Sequence, residues 1–576
     1  MRRPIQNVFL LFACLGGLLP LPACGPAEDA GLALKIYYPR PATEPALRAD
    51  PPPAGEAPAD ITNYRICVSA ADMGKVQCQQ FNRGEHPTRA RIGGLPVGTD
   101  RRVTFQGYTQ SGAEPIVQWC GQVDGVRIQN GATTQVSMYL SVCSSFTDTR
   151  TSMGTARVFH TASPLPDGRV LVLGGFNSIG GNQACDTGNC HVLTATSSAE
   201  VYDPQTGAFE ALPALSLRYP RGLHTATPLP GDRLLVAGGA GRILFLVSFP
   251  LGPRPVLEVA PQDDGQAGST AEIIDLQNLS LEGEIALAPT SPRAHHAAVG
   301  LPSGDALLLG GVVPSTNQPL ASIGQFQTAL GAFVDLPGAM GAARQGAVLV
   351  PFTSTASLLW GGNRAAGALP GQFAEIIRQG PDGQPLSSTP GFVSSDAGRG
   401  APLLYGAGAA LGGNQVLVAG GMIVDSSYLP HLTDRPQLES RVRMLDLQEG
   451  AERFVDLPGA QLVFPRALHS LIALPNCDLG QAMVAGGLTS YEVIPQRFAM
   501  TRRVEFFSAA QGLFSEQSNE RGEVWLGTAR AGHSVTPLAN STFLFSGGLS
   551  QDSGGNPILL DSAELFNPTT RVLQVR

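Results

Sequence analysis

Charge is scarce in this chain: Asp, Glu, Lys and Arg together make up only 15% of its 576 residues. Disordered chains and solvated helices need far more, so the composition excludes both classes and suits strands joined by turns. No basic excess offsets the shortage. With 38 basic against 46 acidic residues, the sequence has no surplus for a nucleic-acid face and none is expected as a partner. Lysine is confined to Lys35 and Lys75. The cations are therefore nearly all arginine, which serves planar anion recognition but also follows from codon bias. The apolar run at 8–19 falls short of the about 20 residues that span a bilayer.

Glycine is abundant instead, at 69 residues. Seven times a Gly-Gly pair ends an apolar stretch: Gly174-Gly175, Gly238-Gly239, Gly310-Gly311, Gly361-Gly362, Gly420-Gly421, Gly486-Gly487 and Gly547-Gly548. Each pair closes a short run such as RVLVL, RLLVA, ALLLL or TFLFS. An unbroken apolar run of that length predicts a strand covered on both faces. Repeated at a regular interval, it predicts like sheets packed against one another.

The repeat reaches beyond the glycines. Seventeen residues before the pair stands Arg157, Arg221, Arg293, Arg344 or Arg530, while Arg399 and Arg466 stand 21 and 20 residues ahead in their copies. Three residues after the arginine comes His160, His224, His296, His469 or His533; copies four and five carry Ala347 and Pro402 there. After a variable gap follow AEVYDP, AEIID, AEII, VEFFS or AELFNP, with weaker matches IGQFQ and VRMLD, and then a TGAF-like strand. This four-strand grammar resembles the kelch repeat, one blade of a β-propeller. The resemblance covers 151–576 and implies an all-β fold, a seven-bladed kelch-type propeller. Two departures are visible. Phe209, Phe333, Phe454 and Phe514 replace the family's usual tryptophan, and successive pairs lie 51 to 72 residues apart, against about 50 for a kelch unit.

Ahead of the repeat the pattern changes. Residues 1–23 read as a secretory signal, with Arg2 and Arg3 before the apolar run. Leu21-Pro22-Ala23-Cys24 resembles a bacterial lipobox, which implies acylation of Cys24 and a short anchor linker at 24–29. Gly25, where an inner-membrane signal would place aspartate, points to the outer membrane. An ordinary signal peptide with a chance cysteine is the alternative. Residues 30–145 show strand-like segments at 32–38, 63–69, 76–80, 89–92, 102–108, 116–120 and 134–140, resembling an immunoglobulin-like or fibronectin-like β-sandwich. Its expected role is a spacer, with a Pro- and Ala-rich excursion at 39–60. In an exported chain the cysteines read as disulfides: Cys67 with Cys78, Cys120 with Cys143, and the nearby Cys185 and Cys190. No histidine stands at zinc-finger spacing, and Cys477 is left over.

Alternating strand directions put the first–second and third–fourth turns on one rim, and the longer second–third and fourth–first connections on the other. Function concentrates where loops lengthen over a rigid scaffold. The expectation is thus a monomeric, non-catalytic scaffold without cofactor or metal, taking a protein or glycan at the long-loop rim. Its only tie to a membrane would be the lipid. The arginines could form a cationic binding ring there, or each Arg and His could bond the neighbouring repeat's backbone. Two alternatives are a polysaccharide-acting enzyme and a purely structural envelope component. Copper-radical oxidases share the resemblance, but their site needs a Tyr-His dipeptide, which is absent; Tyr428-Leu429-Pro430-His431 comes nearest. Asp186 and Asp263-Asp264 read as solvated acids with calcium as the rival. The apolar run at 243–249 reads as an added strand of the second repeat or as a contact patch.

Overall fold

The computed structural model describes residues 30–571 apart from 40–57, 59, 83–88, 112–113, 186–187, 249–255, 263–265, 338–339, 363–373, 380–384, 389–390, 393–402, 413–414, 424–431, 434–436, 449–450, 476, 491–497 and 520. The leader, Cys24, Arg399, Pro402, Asp186, Asp263-Asp264, the Tyr428–His431 segment and most of 39–60 lie outside them. The fold is all-β, and among the described residues the one helical element is the short turn Ala267–Ser269. No described helix is long and apolar enough to cross a membrane.

The N-terminal region forms two sheets around one core. Gly31–Tyr37 pairs antiparallel with Arg89–Ile92 and parallel with Thr133–Tyr139. Opposite lies a sheet ordered Gln77–Asn82, Asn63–Ser69, Gly98–Ser111, Glu114–Ile128 and Ser141–Val142. Alternation in the first strand sends Leu32, Leu34 and Ile36 into the core with Ile66, Val68 and Phe105, while Lys35 stays outside. The strand read as ending at Cys120 runs on to Ile128, because Gly125 (φ 69) is absorbed where the pairing slips register instead of turning the chain.

Seven sheets follow, each ordered first, second, third, fourth strand, and the fifth carries Gly391–Phe392 as an added parallel edge. The first four are built on Thr161–Pro164, Thr225–Leu229, Ala297–Gly300 and Val348–Pro351 as first strands, and the last three on Ala407–Gly412, Ser470–Ala473 and Ser534–Pro537. The second strands Val170–Leu173, Ala306–Leu309 and Ala482–Ala485 are buried at every position, as expected for a strand covered on both faces. First strand packs on first strand from the first sheet to the sixth, the seventh meets the first, and His533 bonds Ser470 between the sixth and seventh. Between the sheets lie separate apolar clusters, such as Leu173, Val201, Leu234 and Ile274 between the first and second.

The seventh sheet is completed from an unexpected place. Its fourth strand is Ser145–Asp148, paired with Ala563–Asn567; residues 572–576 lie outside the described ones. Phe146 there packs on Phe545 and Phe566, with ring centroids 5.3 and 5.0 Å away. The limit drawn at 145 therefore moves: the residues between the two expected domains belong to the ring.

The N-terminal region is docked, not tethered as a free spacer. Tyr139 donates from its hydroxyl to Asp148 O at 2.6 Å, Asn567 Nδ2 donates to Ser141 Oγ at 2.8 Å, and Val117 N donates to Arg571 O at 3.1 Å. Arg521 pairs with Asp60 and lies over the Trp119 ring. Gln122–Asp124 of the long strand Glu114–Ile128 face the turns at Asp167–Arg169, Asp203–Gln205 and Ala539-Asn540 across a 260 Å³ cleft. The N-terminal region thus occupies the short-turn rim of the first and seventh sheets.

Candidate functional site

The repeated arginines do not form a cationic rim. Arg157, Arg221, Arg293, Arg344, Arg466 and Arg530 are all at most 1% exposed. Each reaches under the neighbouring strands to a glycine carbonyl: Nη1 of Arg157 donates to Gly174 O, of Arg221 to Gly238 O and of Arg530 to Gly547 O, at 2.8 to 2.9 Å. Each of five also meets a glutamate on the third strand. Arg157 pairs with Glu200, Arg221 with Glu272 and Arg530 with Glu564 at 2.6 Å, Arg344 with Glu375 at 2.8 Å, and Arg466 with Glu505. The carboxylates also cap the chain that enters the repeat: Glu200 accepts from Gly154 N and Thr155 N, and Glu272 from Arg218 N. Burial pulls the Arg157, Arg344 and Arg466 guanidiniums below their ordinary value, opposed by their glutamates.

Two sheets break the rule. In the third, the glutamate position is Gly324 (it pairs with Leu308 as Glu200 pairs with Val172) and not Gln325. Arg293 there keeps carbonyl and Ser322 contacts, and burial brings it down to about 10 against the pull of Asp335. In the fifth, Leu403 stands where the arginine would be, since its carbonyl accepts from Gly362 N as Arg221 O accepts from Gly175 N. The glutamate's place is taken by Arg443, opposite Val418.

The doubled glycines explain this approach. Gly174 and Gly175 have φ of 57° and 86°. A Cβ on Gly174 would lie 2.5 Å from Arg221 O and 2.9 Å from His224 Cε1, and one on Gly175 would lie 2.7 Å from His160 Cβ. Only glycine admits both the left-handed backbone and the adjacent sheet.

Four histidines each stitch a sheet to the one before. His224 Nε2 bonds Thr161 Oγ1 at 3.0 Å, His296 bonds Thr225 at 2.9 Å, His533 bonds Ser470 at 3.1 Å, and His160 bonds Ser534 at 2.9 Å, closing the circle. The residue that would serve His469 is Ala407, which has no hydroxyl, and His469 finds no side-chain partner. Burial, and then the nearby arginines, hold His224, His469 and His533 down to about 3. They are neutral when folded and charge below about pH 6.5 when unfolded, so the unfolded state binds more protons between those limits. Stability should be full above about pH 6.5 and fall on acidification, by up to about 1.4 kcal/mol per histidine per pH unit. Glu505 and Asp148, raised by burial, oppose this with two groups only. Urea titrations at pH 7, 5.5 and 4.5 check it; a constant unfolding free energy would contradict it.

The long second–third connections are folded into a lid. Phe176–Cys185 and Gly188–Ala195 from the first sheet, Arg242–Ser248 and Val256–Gln262 from the second, and Leu432–Thr433 from the fifth form one five-stranded sheet. The second and fifth sheets lie three places apart in a ring of seven, so the added sheet crosses the ring axis. Of the apolar run at 243–249, the described residues to Ser248 thus form a strand of this lid and not of the second repeat. Its Ile243 and Phe245 join Phe176, Leu193, Leu223, Leu468 and Leu488 in one buried cluster. The outer hairpin of the lid carries exposed Ser178, Asn182 and Gln183 and is closed by the Cys185–Cys190 disulfide. The other two bridges, Cys67–Cys78 and Cys120–Cys143, also match the sequence reading, and Cys477 is free and buried.

Beneath the lid lies a cavity of about 310 Å³, lined by the histidines and by Phe159, Leu223, His295, Tyr405 and Leu468. A copper-radical set does not assemble from the described residues. Tyr405 stacks on His295 with centroids 5.4 Å apart, but Cys477 sits in a turn at the opposite rim among Phe506, Phe545 and Phe566. Among the described residues no three His, Cys, Asp or Glu side chains are placed to share a metal ion.

No family model matches this chain, and no curated protein matches it. Among solved structures it is similar to a fungal alcohol oxidase of the AA5 family in complex with copper, at 14% identity over 72% of this chain and 75% of that one, with a TM-score of 0.47. It is also similar to YjhT, at 12% identity over 64% of this chain and 99% of that one, with a TM-score of 0.39. Neither likeness assigns a reaction to this chain.

Proposed function

We propose that this chain is an exported seven-bladed kelch-type propeller that works as a non-catalytic binding scaffold, taking a protein or glycan at the lidded rim. One observation carries the reading: the N-terminal region covers part of the short-turn rim, while the long connections build a folded surface on the other. A lipid on Cys24 would hold the chain from its N-terminal region and leave the lid facing outward. The three disulfides fit an extracellular or periplasmic setting. The repeated Arg, Glu and His groups are consumed in holding the ring, which leaves the uneven loops as the recognition surface. The hairpin strand at Ser178–Gln183 is largely exposed, uncharged and stapled, so little ordering entropy opposes its docking.

Screening the intact exported protein against envelope extracts and a glycan array identifies the ligand. Changing exposed Asn182 and Gln183 together to alanine should then weaken capture at least tenfold without lowering the melting temperature. Undiminished capture by that variant would place binding elsewhere.

A further inference from the structure

One position in each sheet, just ahead of the first strand, has φ between 53° and 63° and lines the cavity. Recurrence in all seven makes this backbone conformation a property of the ring. What differs is the side chain. In cyclic order the sixth, seventh, first and second sheets present Leu468, Gly532, Phe159 and Leu223; the third, fourth and fifth present His295, Gly346 and Tyr405. The apolar residues therefore form one continuous arc and the polar pair the other.

The two glycines extend each arc. A Cβ at Gly532 would lie 2.8 Å from Phe159 Cε1, and one at Gly346 would lie 2.7 Å from His295 Cε1. Phe159 thus spreads towards Leu468, and His295 leans across Gly346 to stack on Tyr405 at 20°. Among the described residues, neither the Tyr405 hydroxyl nor the His295 ring is hydrogen-bonded to another protein group, and both side chains are only partly buried. The cavity lining contains no Asp, Glu, Lys or Arg. Burial holds His295 down to about 4, so its imidazole is neutral.

We propose that this cavity, separately from the outer rim, binds one small uncharged molecule of the phenol class: an apolar ring with a single hydroxyl. The ring would rest against Phe159, Leu223 and Leu468, and its hydroxyl would meet Tyr405 and His295. The volume, at the lower end of ligand pockets, suits a single ring. The repeat histidines also line the cavity, but four of their Nε2 atoms are taken by Thr161, Thr225, Ser470 and Ser534 and their Nδ1 atoms are buried. A sugar would therefore leave hydroxyls unpaired against Phe159, Leu223 and Leu468.

The test is calorimetric titration and thermal melting of the intact protein with phenol, toluene and glucose. Phenol should bind saturably and raise the melting temperature, and glucose should do neither. Tyr405→Phe should weaken phenol about tenfold while leaving toluene binding unchanged, which also reports that the cavity is intact. Leu223→Trp, which fills the apolar arc, should abolish both. No saturable phenol binding, equal phenol affinity in wild type and Tyr405→Phe, or glucose binding at comparable strength would each overturn the proposal.

Discussion

A chain beginning at Thr151 is expected to lose cooperative folding, while one beginning at Ala30 melts like the exported protein. The shorter chain contains all seven doubled glycines of the repeat and every repeated arginine, so by repeat content it is complete. It nonetheless lacks Ser145–Asp148, and Ala563–Asn567 would then present an unpaired edge. Phe146 alone removes a large apolar surface from water, a contribution of about 1.5–3 kcal/mol. Tyr37 and Tyr139, which share a cluster with Val170, Tyr202, Leu544 and Leu565, would also go. Their loss exposes the first and seventh sheets where the ring must seal. Circular dichroism and calorimetric melts of the two chains decide the matter; matching transitions would show that the ring closes without its early strand.

The second large effect lies at the buried ion pairs. Arg221→Met should cost about 3–5 kcal/mol, because it strands the Glu272 carboxylate where water cannot reach. Glu272→Leu should cost a similar amount for the converse reason. The double variant should be markedly less unstable than the sum of the singles, since two apolar side chains leave no orphaned charge. Some deficit should persist, as Gly238 O, Ala267 O and Thr270 O would each lose a donor. Denaturant titration of the four proteins measures the coupling. Strict additivity would mean that the pair does not act as a unit.

The repeat made most of this architecture legible, because each blade must solve the same packing problem with the same residues. Gly174-Gly175 and its counterparts, the histidine positions and the three cysteine pairs could be placed from spacing alone, but four of the histidines bond side-chain hydroxyls of the neighbouring sheet and not its backbone. The glutamates were missed, although the signal was present. Glu occurs in the five copies whose Arg it meets, and is absent where Arg293 and Leu403 stand. In the fifth copy a search for arginine led to Arg399 at 21 residues, whereas the spacing of 17 is kept by Leu403. The geometry belongs to the backbone there, not to the side chain. The closing strand and the lid were not legible, because both depend on pairing between segments far apart in the chain. Nothing local in Ser145–Asp148 marks it as a partner for Ala563–Asn567, and the run at 243–249 reads equally well as a strand of any sheet.

Hydrogen exchange followed by mass spectrometry on the intact protein tests the ring most directly. The amides of Ser145–Asp148 should exchange as slowly as those of Ala563–Asn567 and open together with them. Rapid exchange of the early strand beside a protected C-terminal one would contradict closure by a segment that precedes the repeats.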